Sequence, residues 1–193
     1  MFVILLGLLA GGCSGPSESS ATSEPEGGDE SVMVAPRAEG EAVAAFSGLD
    51  AADKAAVGWQ EDADLYAIAV ATPTLDAAGK SPSWLYTYVS ESAGAVASVT
   101  YSEAEGAGLD PAQELPEADI AYISDNLLPE PENLTDSTEA IERAREVGSA
   151  LEENPEAEAS AGLDSFSGGD PQWIFATARG EERIEERVPA TGP

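Results

Sequence analysis

The segment Trp84-Leu-Tyr-Thr-Tyr-Val89 decides the fold class of this chain. Its aromatic residues alternate with smaller ones, so Trp84, Tyr86 and Tyr88 share one face of an extended strand. Aromatic residues on one face of a strand usually pack beneath a helix, and core packing is the interpretation that we favour. The alternative is a ligand or peptide groove lined by these three side chains together with Trp173.

Helical and extended patterns lie on both sides of this strand. A helix with Asp50 as its N-cap is predicted to run to about Asp62, with apolar residues on one stripe. Two further strands are predicted at Leu65–Thr72 and Val96–Tyr101. These elements predict a first αβββ unit at residues 46–102.

The second half repeats this order of elements. Asp136 and Glu139 form a D-x-x-E capping signature, and apolar residues at helical spacing continue to Leu151. Three strands are predicted after this helix, at Ala161–Phe166, Gln172–Ala178 and Arg183–Val188. Residues 135–193 would form a second αβββ unit, with residues 103–134 as a packed connector. The predicted fold class is therefore α+β, with two αβββ units whose antiparallel sheets are each covered by a helix.

The second unit resembles a PepSY-type domain. The matching features are the helix Ser137-Thr-Glu-Ala-Ile-Glu-Arg-Ala, the strand that contains Trp173, and a last strand closing in Val188-Pro-Ala-Thr-Gly192. The first unit would be a degenerate copy, and a generic α+β domain is the alternative. The resemblance implies an antiparallel sheet with a helix across one face. PepSY-type domains occur in propeptides that restrain secreted proteases and in envelope proteins.

An apolar run at residues 1–12 leads into Leu9-Ala-Gly-Gly-Cys13, which resembles the lipobox of bacterial lipoproteins. The run is too short to span a bilayer and has the size of a secretory signal peptide. The resemblance implies acylation at Cys13 and cleavage after Gly12, so the lipid bilayer is an expected partner through that anchor. No Lys or Arg precedes the run, which departs from the pattern. An ordinary signal peptide with an incidental cysteine is the alternative.

Residues 13–45 are rich in Ser, Glu, Gly and Pro and have no apolar periodicity. Such a segment cannot bury enough apolar surface to offset its chain entropy, which predicts a disordered acidic tether. We therefore expect an exported protein of the cell envelope, anchored by lipid to the periplasmic or cell-surface face of a membrane.

The charge of the chain excludes several classes of partner. It contains 37 Asp and Glu against 8 Lys and Arg, for a net charge of −29. Nucleic-acid binding is not expected, because phosphate contacts need clustered basic residues. Diffuse attraction of cations is expected instead. The acidity is explained either by solubility or by adaptation to high salt, and the near absence of Lys favours the halophilic explanation.

The residue inventory argues against most enzyme chemistry. The chain has no His and one Cys, which excludes the usual catalytic triads and zinc sites in the folded part. Asp62-Ala-Asp64-Leu-Tyr66 begins like a calcium-binding loop but has no acid or amide at the fifth position and no glycine at the sixth. No cofactor and no metal are expected, and a carboxylate-based hydrolase is the remote enzymatic alternative.

The predicted function is non-catalytic binding of a protein or peptide partner in the envelope. Protease restraint is one specific version of this function, which the PepSY resemblance implies. The alternative is a purely structural envelope lipoprotein of a halophile.

Overall fold

We describe residues 40–165 and 169–191 in a computed structural model of the chain. The helices are α1 (Leu49–Trp59), α2 (Glu117–Ser124), α3 (Ser137–Ile141) and α4 (Arg145–Glu153). The strands are β1 (Asp64–Val70), β2 (Trp84–Ser90), β3 (Ala95–Ser102), β4 (Gly106–Leu109), β5 (Gln113–Glu114), β6 (Ala159–Asp164), β7 (Gln172–Arg179) and β8 (Glu182–Pro189). The α+β fold class predicted from the sequence is confirmed. The predicted signal peptide and Cys13 anchor lie outside the described residues.

All eight strands belong to one antiparallel sheet, in the order β4-β3-β2-β1-β6-β7-β8, with β5 also paired to β3. The sequence predicted a separate sheet for each unit. The structure instead joins them at the centre, where Ile68 of β1 lies opposite Leu163 of β6. Both side chains are almost fully buried. Because of this pairing, β1 lies between β2 and β6, and β6 lies between β1 and β7.

The core lies on one face of the sheet, beneath α1, α3 and α4. Residues of β1, β2, β6 and β7 that lie opposite one another in register contribute Ile68, Tyr86, Leu163 and Trp173 to a single apolar cluster. The helices cover this face with small and aliphatic side chains: Leu49, Ala52, Ala56, Ala140, Ile141, Val147 and Leu151. The stripe predicted for α1 consists of Ala52, Ala56, Trp59 and Ala63. Ala52 and Ala56 are buried, Trp59 is only half-buried, and Ala63 lies beyond the end of the helix.

Folded structure begins before the predicted boundary at residue 46. Val43 is buried and exchanges two backbone hydrogen bonds with Ser81, and Ala45 starts a turn of 3-10 helix that runs to Gly48. That turn continues directly into α1, so Gly48 occupies the N-cap position. The prediction that Asp50 is the N-cap is therefore wrong. Asp50 is an acidic residue of the first turn, where it interacts favourably with the helix dipole.

The second predicted helix is divided into α3 and α4. Asp136 caps α3 as predicted, its Oδ1 accepting from the Ser137 N–H at 2.6 Å. Ala144 then leaves helical geometry, with φ −82° and ψ 69°, and α4 begins at Arg145. The helix propensity of the sequence does not reveal this break, because neither Gly nor Pro marks it.

The start of α3 also caps the helix of the first half. The Ala45 N–H donates to Ser137 Oγ at 3.0 Å, and the Phe46 N–H donates to Asp136 Oδ1 at 3.2 Å. Free amides at a helix start need acceptors, and here both acceptors come from residues about ninety positions later in the chain. The two halves therefore share one capping site.

Candidate binding groove

The aromatic residues that the sequence singled out lie in the core. Trp84, Tyr86 and Trp173 have no exposed surface, and Tyr88 is 1% exposed. Trp84 and Trp173 meet edge to face, with ring centroids 6.2 Å apart. The structure thus places Trp84, Tyr86 and Trp173 beneath the helices and outside the groove described below, whereas Tyr88 is also buried but borders that groove.

The two tryptophans have matching hydrogen bonds. Trp84 Nε1 donates to the Val43 carbonyl at 2.9 Å, and Trp173 Nε1 donates to the Thr135 carbonyl at 2.7 Å. Each acceptor lies two residues before the first helical residue of its own half. A buried indole N–H needs a partner, and each tryptophan meets that need by fixing the segment that enters its helix.

An open groove of about 640 Å³ lies elsewhere, between α1, the start of β1 and the segment that follows α2. That segment is held against the sheet by a hydrogen bond from the Leu128 N–H to the Leu65 carbonyl, at 3.0 Å. The apolar residues that line the groove are Val57, Ala63, Leu65, Tyr88, Leu127, Leu128, Pro129 and Pro131. Its volume is in the range of sites that take a small ligand or a few side chains of a partner.

Val57 gives the groove an exposed apolar surface. Its side chain is 53% exposed, which makes it one of three large apolar residues exposed in the described part of the chain. It projects from α1, whose other face is buried against the sheet. An exposed aliphatic side chain beside a concave surface favours contact with an apolar group of a partner.

Asp53 is fixed at the wall of the groove by Tyr88. The Tyr88 hydroxyl donates to Asp53 Oδ1 at 2.6 Å. Burial raises the pKa of Tyr88, and the neighbouring Asp53 carboxylate raises that pKa further. The phenol therefore stays protonated and holds the carboxylate in one orientation.

The charged residues that line the groove are all acidic. They are Asp53, Asp64 and Glu130, and neither Lys nor Arg lies among the lining residues that the structure describes. A partner group with both an apolar and a cationic part would match these surroundings. Leu127 and Leu128 were noted in the sequence as side chains that need burial, but nothing in their spacing indicated a groove.

Asp62 has a structural role in this region. Its carboxylate accepts from Ser90 Oγ at 2.7 Å and from the N–H and Oγ of Ser92, both at 2.9 Å. The Ser90 hydrogen bond, followed by the Ser92 amide, holds the pKa of Asp62 below its usual value. Asp62 thus ties the turn after α1 to the turn after β2, while Asp64 lies in the groove.

Asp164 is a carboxyl group in an unusual environment. Burial raises its pKa to about 6, and the charge of Arg187 lowers it in part. Its Oδ1 atom is buried and has no hydrogen-bond partner in the described part of the chain. Asp164 lies on β6, away from the groove.

The described residues offer neither a cluster of metal ligands nor a helix that could span a membrane. Residues 40–165 and 169–191 contain no group of three His, Cys, Asp or Glu side chains placed to hold a metal ion. In the same ranges, none of the helices has the length and apolar character needed to cross a bilayer.

The chain matches no family model, and neither curated proteins nor solved structures are detectably similar to it.

Proposed function

We propose that the folded domain is a non-catalytic binding module, whose groove takes a segment of a partner protein with apolar and basic side chains side by side. The observation that carries the proposal is the composition of the groove. Apolar groups from α1, β1 and the segment after α2 form its walls, and every charged lining residue is acidic. Charge complementarity of this kind favours cationic partners and accelerates their association.

The orientation of Asp53 supports specific recognition. Because Tyr88 already holds its carboxylate, a Lys or Arg of the partner would meet a carboxylate that needs little further ordering. Asp64 and Glu130 are exposed and add attraction at longer range. Val57 and Leu127 would then contact an aliphatic or aromatic side chain next to the basic one.

We further propose that a lipid on Cys13 anchors the protein to a membrane of the cell envelope. The lipobox-like sequence before Cys13 and the acidic, Pro- and Gly-containing segment after it support this arrangement. Mass spectrometry of the mature amino terminus tests it. An acylated Cys13 is expected, and an unmodified terminus at another residue would exclude the anchor.

The fold is proposed to be a tandem of two αβββ units, the second PepSY-like and the first a degenerate copy. Two features support a tandem: the strand order is mirrored about the β1–β6 pair, and the two tryptophans make matching hydrogen bonds. Protease restraint is the version of partner binding that this likeness implies. It predicts dose-dependent slowing of a co-secreted protease by the purified protein.

The groove proposal is tested with two fluorescent peptides, one of alternating Lys and Leu and one of alternating Glu and Leu. Binding is measured by anisotropy at the lowest KCl concentration that keeps the fold intact by circular dichroism. The Lys peptide should bind and the Glu peptide should not. Val57→Asn should weaken binding of the Lys peptide by removing its apolar contact.

A matched pair of variants separates the groove from general acidity. Asp53→Asn with Glu130→Gln removes two charges in the groove, and Asp110→Asn with Glu114→Gln removes two exposed charges elsewhere. We expect the groove variant to bind the Lys peptide about tenfold more weakly, and the control to match the wild type. Equal losses in both variants would mean diffuse attraction and would overturn the groove proposal.

A further inference from the structure

The two outer edges of the sheet differ in how far their strands are paired. At one end, β4 and β5 pair with the outer side of β3, so segments of the same chain cover most of that edge. At the other end, β8 pairs with β7 along all eight of its residues and has no other neighbouring strand in the described part of the chain. A row of unpaired backbone groups on such an edge is a template for another strand.

The β7–β8 hairpin determines which groups of β8 face outward. Arg179 lies opposite Glu182 across the two-residue turn Gly180-Glu181, in which Gly180 has φ +64°. In hairpins of this length the pair that closes the turn is hydrogen-bonded, and bonded and non-bonded pairs then alternate. The N–H and C=O groups of Arg183, Glu185 and Arg187 therefore point away from β7.

The side chains of these same residues carry alternating charge. They lie on the face opposite the core, because Val188 and Ile184 pack on the core side. Arg183 and Arg187 are 75% and 58% exposed, and each contacts the Glu185 carboxylate between them, at 3.0 and 3.3 Å. Together with Glu181 in the turn, these residues give this face alternating negative and positive charges from residue 181 to residue 187.

This series complements itself when two copies run antiparallel. If Ile184 of one copy lies opposite Ile184 of the other, Arg183 faces Glu185 and Arg187 faces Glu181, each pair occurring twice. Cross-strand pairs of opposite charge stabilise a sheet, and like charges opposite each other destabilise it. The register centred on Glu185 would place like charges opposite each other, and the register centred on Glu186 would keep only the two Glu185–Arg187 pairs. The register centred on Ile184 forms four pairs of opposite charge, so the charges of this face favour it.

The core-side face tolerates this register. There the two Ile184 side chains meet, and Glu182 lies opposite Glu186 of the second copy. The Glu186 carboxylate is already turned to the Val147 N–H at the start of α4, where it accepts a hydrogen bond at 2.8 Å. The helix dipole further stabilises that charge, which lessens its repulsion toward Glu182.

We propose that β8 pairs with β8 of a second copy of this chain, antiparallel and centred on Ile184, to form one sheet that continues through both copies. The occupant is a second copy because the charges on the face of β8 opposite the core complement themselves. The net charge of −29 opposes association, so the dimer forms only where salt screens the general repulsion but not the contact ion pairs. This inference is independent of the groove, since β8 contributes no residue to the groove lining.

A charge swap tests the proposal. The full chain carries Cys13→Ser throughout, so that neither a lipid nor a disulfide links copies. Arg183→Glu with Arg187→Glu makes the face entirely acidic, and Glu181→Arg with Glu185→Arg makes it entirely basic. Sedimentation velocity should show that the wild type is a dimer. Each variant alone should associate at least about tenfold more weakly, and an equimolar mixture of the two variants should form a heterodimer.

Lys54→Glu with Lys80→Glu is the matched control for the Arg→Glu variant, because it makes the same change in net charge at residues outside β8. That variant should dimerise like the wild type. A mixture of the two charge-swapped chains that stays monomeric would overturn the proposal. So would a wild type that is monomeric at every concentration, since the alternating charges would then protect the edge from pairing.

Proline substitution tests the backbone pairing, and Glu185→Gln is its control, because it removes the same charge but keeps the N–H and should weaken the dimer without abolishing it. Glu185→Pro removes an outward N–H and leaves the β7 ladder complete, so it should abolish the dimer with little change in melting temperature. Ile184→Pro removes an N–H bonded to β7 and should lower the melting temperature of the monomer. If the folded Glu185→Pro chain dimerises like the wild type, strand pairing is excluded.

Discussion

Trp84 and Trp173 hold equivalent positions in the two halves of the sheet, yet the halves differ in their outer strands. In residues 40–134 the edge strand β3 is covered by β4 and β5, whereas in residues 135–191 the edge strand β8 has no second strand paired with it among the described residues. The halves are alike where aromatic side chains fill the core, and they differ where the sheet meets solvent. The requirement for core packing therefore keeps the central strands of the two halves similar, whereas the strand pairing at the two edges differs.

The halves also differ in how their acidic residues are compensated. Residues 40–134 contain only Lys54 and Lys80 as basic residues, whereas residues 135–191 contain five Arg. The ion pairs in which both partners are described residues lie in the second half: Arg143–Glu139, Arg179–Glu153, Arg183–Glu185 and Arg187–Glu185. Exposed pairs stabilise little individually, but they reduce the local repulsion, which in the first half is offset only by the two lysines.

The largest expected effect is that of salt. Uncompensated carboxylates repel one another over about 30 Å at 0.01 M salt and only about 3 Å at 1 M. The protein should be loosened or unfolded in dilute buffer and compact in molar KCl. Thermal melting across a salt series measures this effect, and a melting temperature independent of salt would refute the halophilic interpretation.

Hydrogen exchange at intermediate salt sharpens the comparison between the halves. Amides of β2 and β3 should lose protection before those of β7 and β8, because the first half has less compensation of charge. Loss of protection at the same salt concentration in both halves would mean that local charge balance does not distinguish them.

The next effect concerns the matched tryptophans. Trp84→Ala and Trp173→Ala should each lower the free energy of unfolding by about 3–5 kcal/mol, because both indoles are fully buried. Denaturant titration in molar KCl measures the loss. Trp→Phe at each position keeps most of the ring volume but removes the indole N–H, and should cost less than Trp→Ala. Losses that differ strongly between Trp84→Ala and Trp173→Ala would contradict the equivalence of the halves.

Substitution of Gly79 tests the contact between the turn that contains it and α3 of the second half. Gly79 has φ +73°, and a Cβ there would lie 2.5 Å from the Ser137 carbonyl oxygen of α3. Gly79→Ala should therefore destabilise the protein by about 3 kcal/mol, from backbone strain and displacement of α3. Gly94→Ala is the control, with φ +60° but open space around it, and should cost about 1 kcal/mol. Equal losses would mean that the Gly79 turn does not constrain α3.

The smallest effect is that of Asp164, whose pKa is raised in the folded state. Between about pH 4 and 6 the folded protein binds more protons than the unfolded chain, so stability falls as pH rises through this window. Above pH 6, Asp164→Asn should stabilise the protein by about 1 kcal/mol, an amount reduced by partial exposure of the group. Unfolding measured at pH 4 and 7 should show the gain only at pH 7. A gain of the same size at both values would point to a cause other than ionisation.

Periodicity in the sequence located most elements of the fold. The helix at Leu49–Trp59 and the strands β1, β2, β3, β6, β7 and β8 lie within about three residues of their predicted positions. Alternating or helical spacing of apolar residues is a local property, so it is readable without knowledge of the fold. The Gly-rich strand Gly106–Leu109 was missed because glycine has low strand propensity and leaves no side-chain pattern.

Strand order and the groove were not predictable in this way. The pairing of β1 with β6 joins residues that are far apart in sequence, and no local pattern selects it over two separate sheets. The groove likewise requires α1, β1 and the segment around Leu128 to meet, although each has an ordinary sequence of its own. The aromatic row suggested a groove as one alternative, but the geometry that buries it depends on helices from both halves.

The capping site shared by the two halves has a consequence for the kinetics of folding. The amides of Ala45 and Phe46 find their acceptors on Ser137 and Asp136, so a chain synthesised from its amino terminus cannot complete its first helix start until those residues are available. The central strand β1 must likewise wait for β6 before both of its edges are paired. Contacts of such long sequence separation slow folding, and we expect the nascent first half to remain incompletely folded until most of the chain has been made.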